Sequence, residues 1–351
     1  MPSLAVILGC SGPVLTSEER VFFRDVSPWA FILFSRNVET PNQVARLCND
    51  LRNAVGRDCL IFVDQEGGRV QRLKAPHWNA YPSGAKFAAL YERDTHKGLE
   101  ACYLSYRLIA DDLRAVGITA NCAPVMDLPQ ADADPIISDR AFGTDSAQVI
   151  GLAHAAMAGL MVGGVAPVIK HMPGHGRARV DSHKALPKIT ASRTILSQSD
   201  FIPFKALNDA PMAMTAHAVY ACASDEAITI SKTAFKSLIR ETIGYDGLVM
   251  TDDLDMKALT GDLVRKTAQS LAAGCDIALQ CSGQMDAMVK VAKGAKLLTG
   301  DALRRAMTAE KCVSKPRELS RESAQERLST LMDDVADIDI ARAPMSLVES
   351  T

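Results

Sequence analysis

The chain has 351 residues, 48% of them hydrophobic and 23% charged, which is the balance of an ordinary globular protein with room for one large α/β domain or two of medium size. A net charge of -2 and a pI near 6.4 give no basis for a nucleic-acid or anionic-membrane partner. Nine cysteines include no C-x-x-C pair, which removes the zinc-ribbon and thioredoxin-like classes.

Several thiols (Cys59, Cys122, Cys275) lie in apolar runs, where a free cysteine acts as a small hydrophobe, and a reducing compartment is expected. The start, Met1-Pro2-Ser3-Leu4, has no positive region, and Gly9, Gly12 and Pro13 break its apolar run, so no signal peptide is expected. No apolar stretch approaches the roughly 20 residues of a spanning helix. The expected setting is the cytoplasm, without a membrane partner.

In chain order, eight short apolar runs read as strands: Ala5–Leu8, Trp29–Phe34, Leu60–Val63, Ile118–Pro124, Val168–His171, Met212–Ala218, Leu248–Thr251 and Asp276–Gln280. Each is continuous rather than alternating, as parallel strands buried on both faces are. Helical patterns lie between them. Thr40 caps one with Pro41 at its first position, and Val44, Leu47, Cys48, Leu51 and Val55 make its stripe. A second runs from Gly98 to Val116 and stops at Gly117; a third opens at Thr144-Asp145 and runs to Gly163-Gly164; a fourth opens at Ser231 and closes near Gly244.

Strands alternating with helices make either a doubly wound sheet or a closed (β/α)₈ barrel. Polar residues end strand after strand: Asp64, Asn121, Lys170-His171, His217, Asp252-Asp253 and Gln280. A barrel converges all such ends on one mouth, so the expected fold is a single-domain (β/α)₈ TIM-like barrel over residues 1–312. Residues 313–351 are expected to be a helical or flexible extension, frayed around Ala343-Pro344-Met345-Ser346, and not a domain of their own.

Three clusters carry candidate chemistry. Asp64-Gln65-Glu66-Gly67-Gly68-Arg69-Val70-Gln71-Arg72 follows the third strand, and an Asp at a strand end followed by Gly-Gly and two arginines suits bidentate bonds to sugar hydroxyls. Lys170-His171-Met172-Pro173-Gly174-His175-Gly176 leads into Arg177 to His183, placing three of seven histidines within thirteen residues. Pro173-Gly174 and Gly176 suggest a loop that opens and closes. Asp181 and His183 are close enough for the carboxylate to orient the ring, and an imidazole with pKa of about 6.5 can act as acid or base near neutrality. In Thr251-Asp252-Asp253-Leu254-Asp255-Met256 a buried strand delivers Asp252 to the mouth. Thr251 or Asp252 would by itself read as the cap of a following helix, and Asp253 can take that cap instead.

Together these clusters resemble the NagZ-type β-N-acetylglucosaminidases of glycoside hydrolase family 3, in order and spacing, over about residues 1–310. The resemblance implies a retaining mechanism with Asp252 as nucleophile and His183 as general acid/base supported by Asp181. It makes Asp64, Arg72, Arg140 (in Ser138-Asp139-Arg140-Ala141-Phe142-Gly143), Lys170 and His171 the sugar-binding positions, and His217 joins them from another strand end. The implied substrate is a terminal β-linked N-acetylglucosamine on a peptidoglycan fragment, a small carbohydrate, with no cofactor and no metal. A monomer is the default oligomeric state. Met172 stands where the family usually has Phe, and Asp255 where it often has Ser. Still open are a phosphorylase or a glycosidase of other specificity on the same fold, a non-catalytic sugar-binding protein, and a metal-dependent hydrolase using His171, His175, Asp181, His183 and Asp252.

Overall fold

The computed structural model describes residues 3–337. Eight parallel strands close a barrel in sequential order: β1 (Leu4–Leu8), β2 (Pro28–Leu33), β3 (Ile61–Val63), β4 (Ala120–Asn121), β5 (Ala166–Met172), β6 (Met212–Thr215), β7 (Leu248–Asp253) and β8 (Ile277–Gln280), with β8 pairing back onto β1. All eight expected runs are barrel strands, and the doubly wound alternative is excluded by closure. Strands such as β2 and β5 are buried along their whole length, which is why they read as continuous apolar runs.

The helices begin where the caps say. Thr40 Oγ1 accepts from Gln43 N at 3.3 Å and Asp145 Oδ1 from Ala147 N at 2.9 Å. Two of the expected helices differ in detail. The second starts at Thr95 rather than Gly98, because Asp94 is its cap. The fourth begins at Lys232 under the Ser231 cap, then widens into π-type turns over Phe235–Ile243. A helix over Ser17–Val26, outside the expected set, is opened by a Thr16–Glu19 capping box. The Thr95–Ala115 and Ser146–Val162 helices cross closely at Gly159, where a Cβ would stand 2.6 Å from the Tyr103 carbonyl oxygen. Any larger residue there would force the pair apart.

Beyond Val313, the helix Arg321–Asp333 packs on Thr95–Ala115, buries Leu328 and Leu331, and ties down through Arg321 to Asp111 and Asp112. The tail expected around residues 343–346 lies outside the described residues.

Candidate active site

Two strands slip register at the mouth. Between Ile169 and Met172, β5 gains one residue over β6, and between Met250 and Asp253, β7 gains one over β8. In a regular strand successive side chains face opposite ways, whereas a bulge re-aims them. Lys170 and His171 sit in the first bulge, Thr251 and Asp252 in the second. Lys170, His171, Asp252 and Asp253 accordingly all line one cavity of about 210 Å³ above the barrel, with Ile32, Met214 and Leu279 among its apolar lining.

One wall is a chain of alternating charge. Arg72 Nη2 donates to Asp64 Oδ2 at 3.0 Å, and Lys170 Nζ to Asp64 Oδ1 at 2.9 Å and Glu66 Oε1 at 2.6 Å. Arg140 grips Glu66 with two bonds, of 2.8 and 2.9 Å. Lys170 is 2% exposed. Burial disfavours all these charges, but the pairing outweighs it. Lys170 and Arg72 hold Asp64 well below the carboxylate range, Arg140 and Lys170 hold Glu66 at about 2, and the carboxylates push Lys170 up. The expected sugar-binding residues thus grip one another while facing the cavity, which fixes their positions in advance.

Beside this wall, buried Asp127 accepts from His171 N (3.3 Å), from His175 N (2.6 Å), and pairs with His171 Nδ1 at 2.6 Å. Its own burial is outweighed by these histidines, and its pKa is lowered. His175 is buried with neither ring nitrogen bonded among the described residues, and burial first, then His171, lowers its pKa to about 4.

Asp252 Oδ1 accepts the N–H of Asp253 at 2.8 Å. Burial alone would raise its pKa; the facing imidazoles of His217 and His171, the Asp253 N–H and Lys170 reverse this and keep it below the ordinary value. Asp253 behaves oppositely, pushed up to about 7 by burial and by the Asp255 charge. Adjacent carboxyls in one strand end are therefore shifted in opposite directions.

Neither Thr251, Asp252 nor Asp253 is a helix cap. The next helix begins at Leu263 and is capped by Asp262, and Asp253 Oδ1 instead takes Asp255 N at 3.2 Å and Cys281 N at 3.1 Å. The Asp255 departure is a structural contact, since its Oδ2 accepts from Gln280 Nε2 at 2.6 Å.

His217 lines the cavity, but both its ring nitrogens are engaged: Nε2 bonds the Asp253 carbonyl at 3.0 Å and Nδ1 Thr229 Oγ1 at 2.8 Å. A carbonyl only accepts, so Nε2 carries the hydrogen, and burial favours this neutral ring. Its side chain fastens β6 to the Asp253 backbone, and no ring nitrogen is left to hold a sugar. Two other polar strand ends lie outside the cavity lining. Asn121 brackets the Gln65 backbone, and Gln280 serves Asp255 and Ser282.

Across the cavity lies the loop. His183 Nδ1 pairs with Asp181 Oδ1 at 2.8 Å, and the same oxygen accepts His183 N at 2.8 Å. Asp181 is buried while the His183 side chain is 63% exposed. Partial burial opposes the Asp181 charge, but the bonds from His183 prevail and lower its pKa. The glycines here confer tight packing, not the looseness expected of them. A Cβ on Gly176 would stand 1.9 Å from the Leu128 carbonyl oxygen, and Gly174 takes a φ of +129° against Asp200.

The cavity brings together Asp64, Arg72, Arg140, Lys170, His171, His183 and Asp252, with Asp181 behind His183. The sequence reading overlooked Glu66, Asp127 and Asp200, whose partners lie far away in the chain. The strongest available signal was for Asp127, which follows the fourth apolar run as a lone acid among Val125, Met126 and Leu128. Among the described residues, no group of three or more His, Cys, Asp or Glu is spaced to hold a metal ion.

A closed parallel barrel with a charged cavity at the C-terminal ends of its strands has the layout of a TIM-barrel enzyme. The glycosyl hydrolase family 3 N terminal domain matches residues 18–308, and the chain belongs to this family. A beta-hexosaminidase of Alkalilimnicola ehrlichii is 36% identical over 281 residues, covering 79% of this chain and 80% of that protein. One from Pseudomonas aeruginosa is 34% identical over 296 residues, 82% of this chain and 85% of that protein. The crystal structure of native NagZ from Neisseria gonorrhoeae superposes with a TM-score of 0.86 at 28% identity, covering 95% of this chain and 98% of that one. The same protein in complex with N-trifluoroacetyl-D-glucosamine gives 0.85 at 28% identity, covering 95% and 99%.

Proposed function

We propose that this protein is a retaining exo-β-N-acetylglucosaminidase that removes terminal β-linked N-acetylglucosamine from peptidoglycan-derived fragments. The observation that carries this reading is the shared cavity of Asp252, held ionised, and His183, whose Nδ1 is engaged by Asp181 so that Nε2 is the nitrogen available to a sugar. In the first step an Asp252 oxygen bonds the anomeric carbon as the glycosidic C–O bond breaks, and the His183 proton passes to the departing oxygen. In the second, water attacks the same carbon, its proton goes to neutral His183, and the Asp252 ester bond breaks. Two inversions give net retention, with an imidazole in place of the usual second carboxyl group.

Asp181 supports the charge that His183 carries between turnovers, and Asp64, Arg72, Arg140, Lys170 and His171 position the sugar. His171 is oriented by Asp127. The sugar class is supported by the relatives, which are named beta-hexosaminidases, and by the glucosamine derivative bound to the Neisseria protein. A role in cell-wall recycling in the cytoplasm accords with nine free cysteines, six of them buried. Among the described residues, no helix is long and apolar enough to cross a membrane.

Trapping with a 2-fluoro sugar tests the mechanism. A covalent adduct on Asp252, located by peptide mass mapping, is expected; an adduct on another residue, or none, overturns the assignment. Release of the chromophore from a β-N-acetylglucosaminide but not from the matching β-glucoside tests the sugar class.

A further inference from the structure

The segment carrying Asp181 and His183 is fastened along its length, but most of its ties are indifferent to sequence. Gln130 N donates to Gly176 O at 3.0 Å, Asp134 N to Ala178 O at 2.7 Å, and Ala258 N to Ser182 O at 3.1 Å. These are backbone bonds. Arg179 pairs with Asp132, but both side chains are mostly exposed, and such a pair adds little.

Arg177 differs. Its Nε donates to Asp200 Oδ2 at 2.7 Å and its Nη2 to Ser199 Oγ at 3.2 Å. Asp200 is 1% exposed, and its other oxygen is buried with no partner among the described residues. An aspartate at the head of a helix is ordinarily a cap, yet Asp200, just before Phe201–Ala206, makes no cap bond. Its Oδ2 serves Arg177 and, at 2.7 Å, the neighbouring Ser199 hydroxyl instead. Gly174, at the loop's start, packs with its missing Cβ 3.1 Å from the Asp200 Cβ, and its carbonyl accepts the Tyr220 hydroxyl at 2.7 Å. One buried carboxylate thus sits under both the loop's entry and its first cation, four residues before Asp181.

We infer that the Arg177–Asp200 ion pair is the latch that positions the Asp181–His183 couple over the cavity, making Arg177 and Asp200 positioning residues for proton transfer. This rests on His183 being the proposed acid. Asp200 is fully buried and Arg177 half-buried, so losing Arg177 leaves a buried carboxylate without its cation.

The test compares kcat/KM, which reports the first chemical step, for β-N-acetylglucosaminides with a poor alkyl and a good dinitrophenyl leaving group. Arg177→Met is expected to lower the alkyl value about tenfold or more and the dinitrophenyl value less than about threefold, because a good leaving group needs little proton donation. Arg177→Lys restores most of the loss, and Asp200→Asn reproduces the selectivity, keeping the test open if Arg177→Met fails to fold. In the His183→Ala background, Arg177→Met adds no further loss, since both changes act through one group. Equal losses on both substrates, no loss, or losses that add to those of His183→Ala overturn the latch. If His183→Ala itself shows no leaving-group dependence, the proposed acid falls, whatever Arg177 does.

Discussion

The wall built from Asp64, Glu66, Lys170 and Arg140 and the loop carrying Asp181 and His183 face the same cavity but are held in different ways. In the wall every charge meets an opposite one under cover of the barrel, and Lys170 alone is bonded to two carboxylates. In the loop the imidazole stands 63% exposed, leaning on one buried carboxylate. A group that binds a sugar gains from being fixed beforehand, whereas one that passes a proton between a leaving group and water must stay open to water. The two regions should accordingly fail differently when damaged.

The largest effect is expected in the wall. Lys170→Met takes away the cation that Asp64 and Glu66 share, leaving each carboxylate with one arginine, and should cost about 3 kcal/mol of stability. Chemical denaturation would read this, and an unchanged midpoint would make the wall no more structural than the loop. His183→Ala should leave the midpoint where it is while lowering kcat/KM on poor leaving groups by about 10²–10⁴-fold. A loss of stability from that exposed side chain would erase the contrast.

Asp181→Asn keeps the shape but not the charge beside the ring, and its loss should be smaller than that of His183→Ala, about tenfold. Comparing kcat/KM on poor and good leaving groups would show it, with the loss confined to the poor ones. A defect equal to that of His183→Ala would make the couple a single unit.

The smallest effect belongs to the neighbour of the nucleophile. With Asp253 at about 7 against an ordinary 3.8, the folded protein holds a proton there that the unfolded chain has released. Its contribution to stability is therefore full below about pH 4 and falls as pH rises to about 7. Asp255→Ser removes one cause of that shift, so the variant should lose less melting temperature between pH 4.5 and 7.5 than the parent. Parallel slopes would show that Asp255 does not act on Asp253.

How much of this was legible in the sequence follows the distance between partners. The Asp181–His183 bond spans two residues and could be expected from spacing alone. The eight strands announced themselves because burial on both faces leaves an unbroken apolar run. Glu66, by contrast, finds Arg140 across 74 residues, and Asp127 finds His171 across 44. No local pattern names the partner in such pairs, since it is set only when distant strands meet. The expected cap at Asp253 failed because no helix follows until Leu263, and the nine residues between left the aspartates free to serve the mouth. The Thr16–Glu19 box shows the reverse case, a local signal that was present and simply outside the helices picked out.

The single extra residues in β5 and β7 set the phase of the whole mouth. Shortening Ile169–Met172 or Met250–Asp253 by one would restore an even pleat, in which neighbours such as Lys170 and His171, or Asp252 and Asp253, face opposite ways and only one of each pair keeps the lumen side. Chain length at these two points is as much a part of the active site as the side chains are. A variant shortened at either point keeps its chemistry in the sequence but turns one of these side chains away from the cavity.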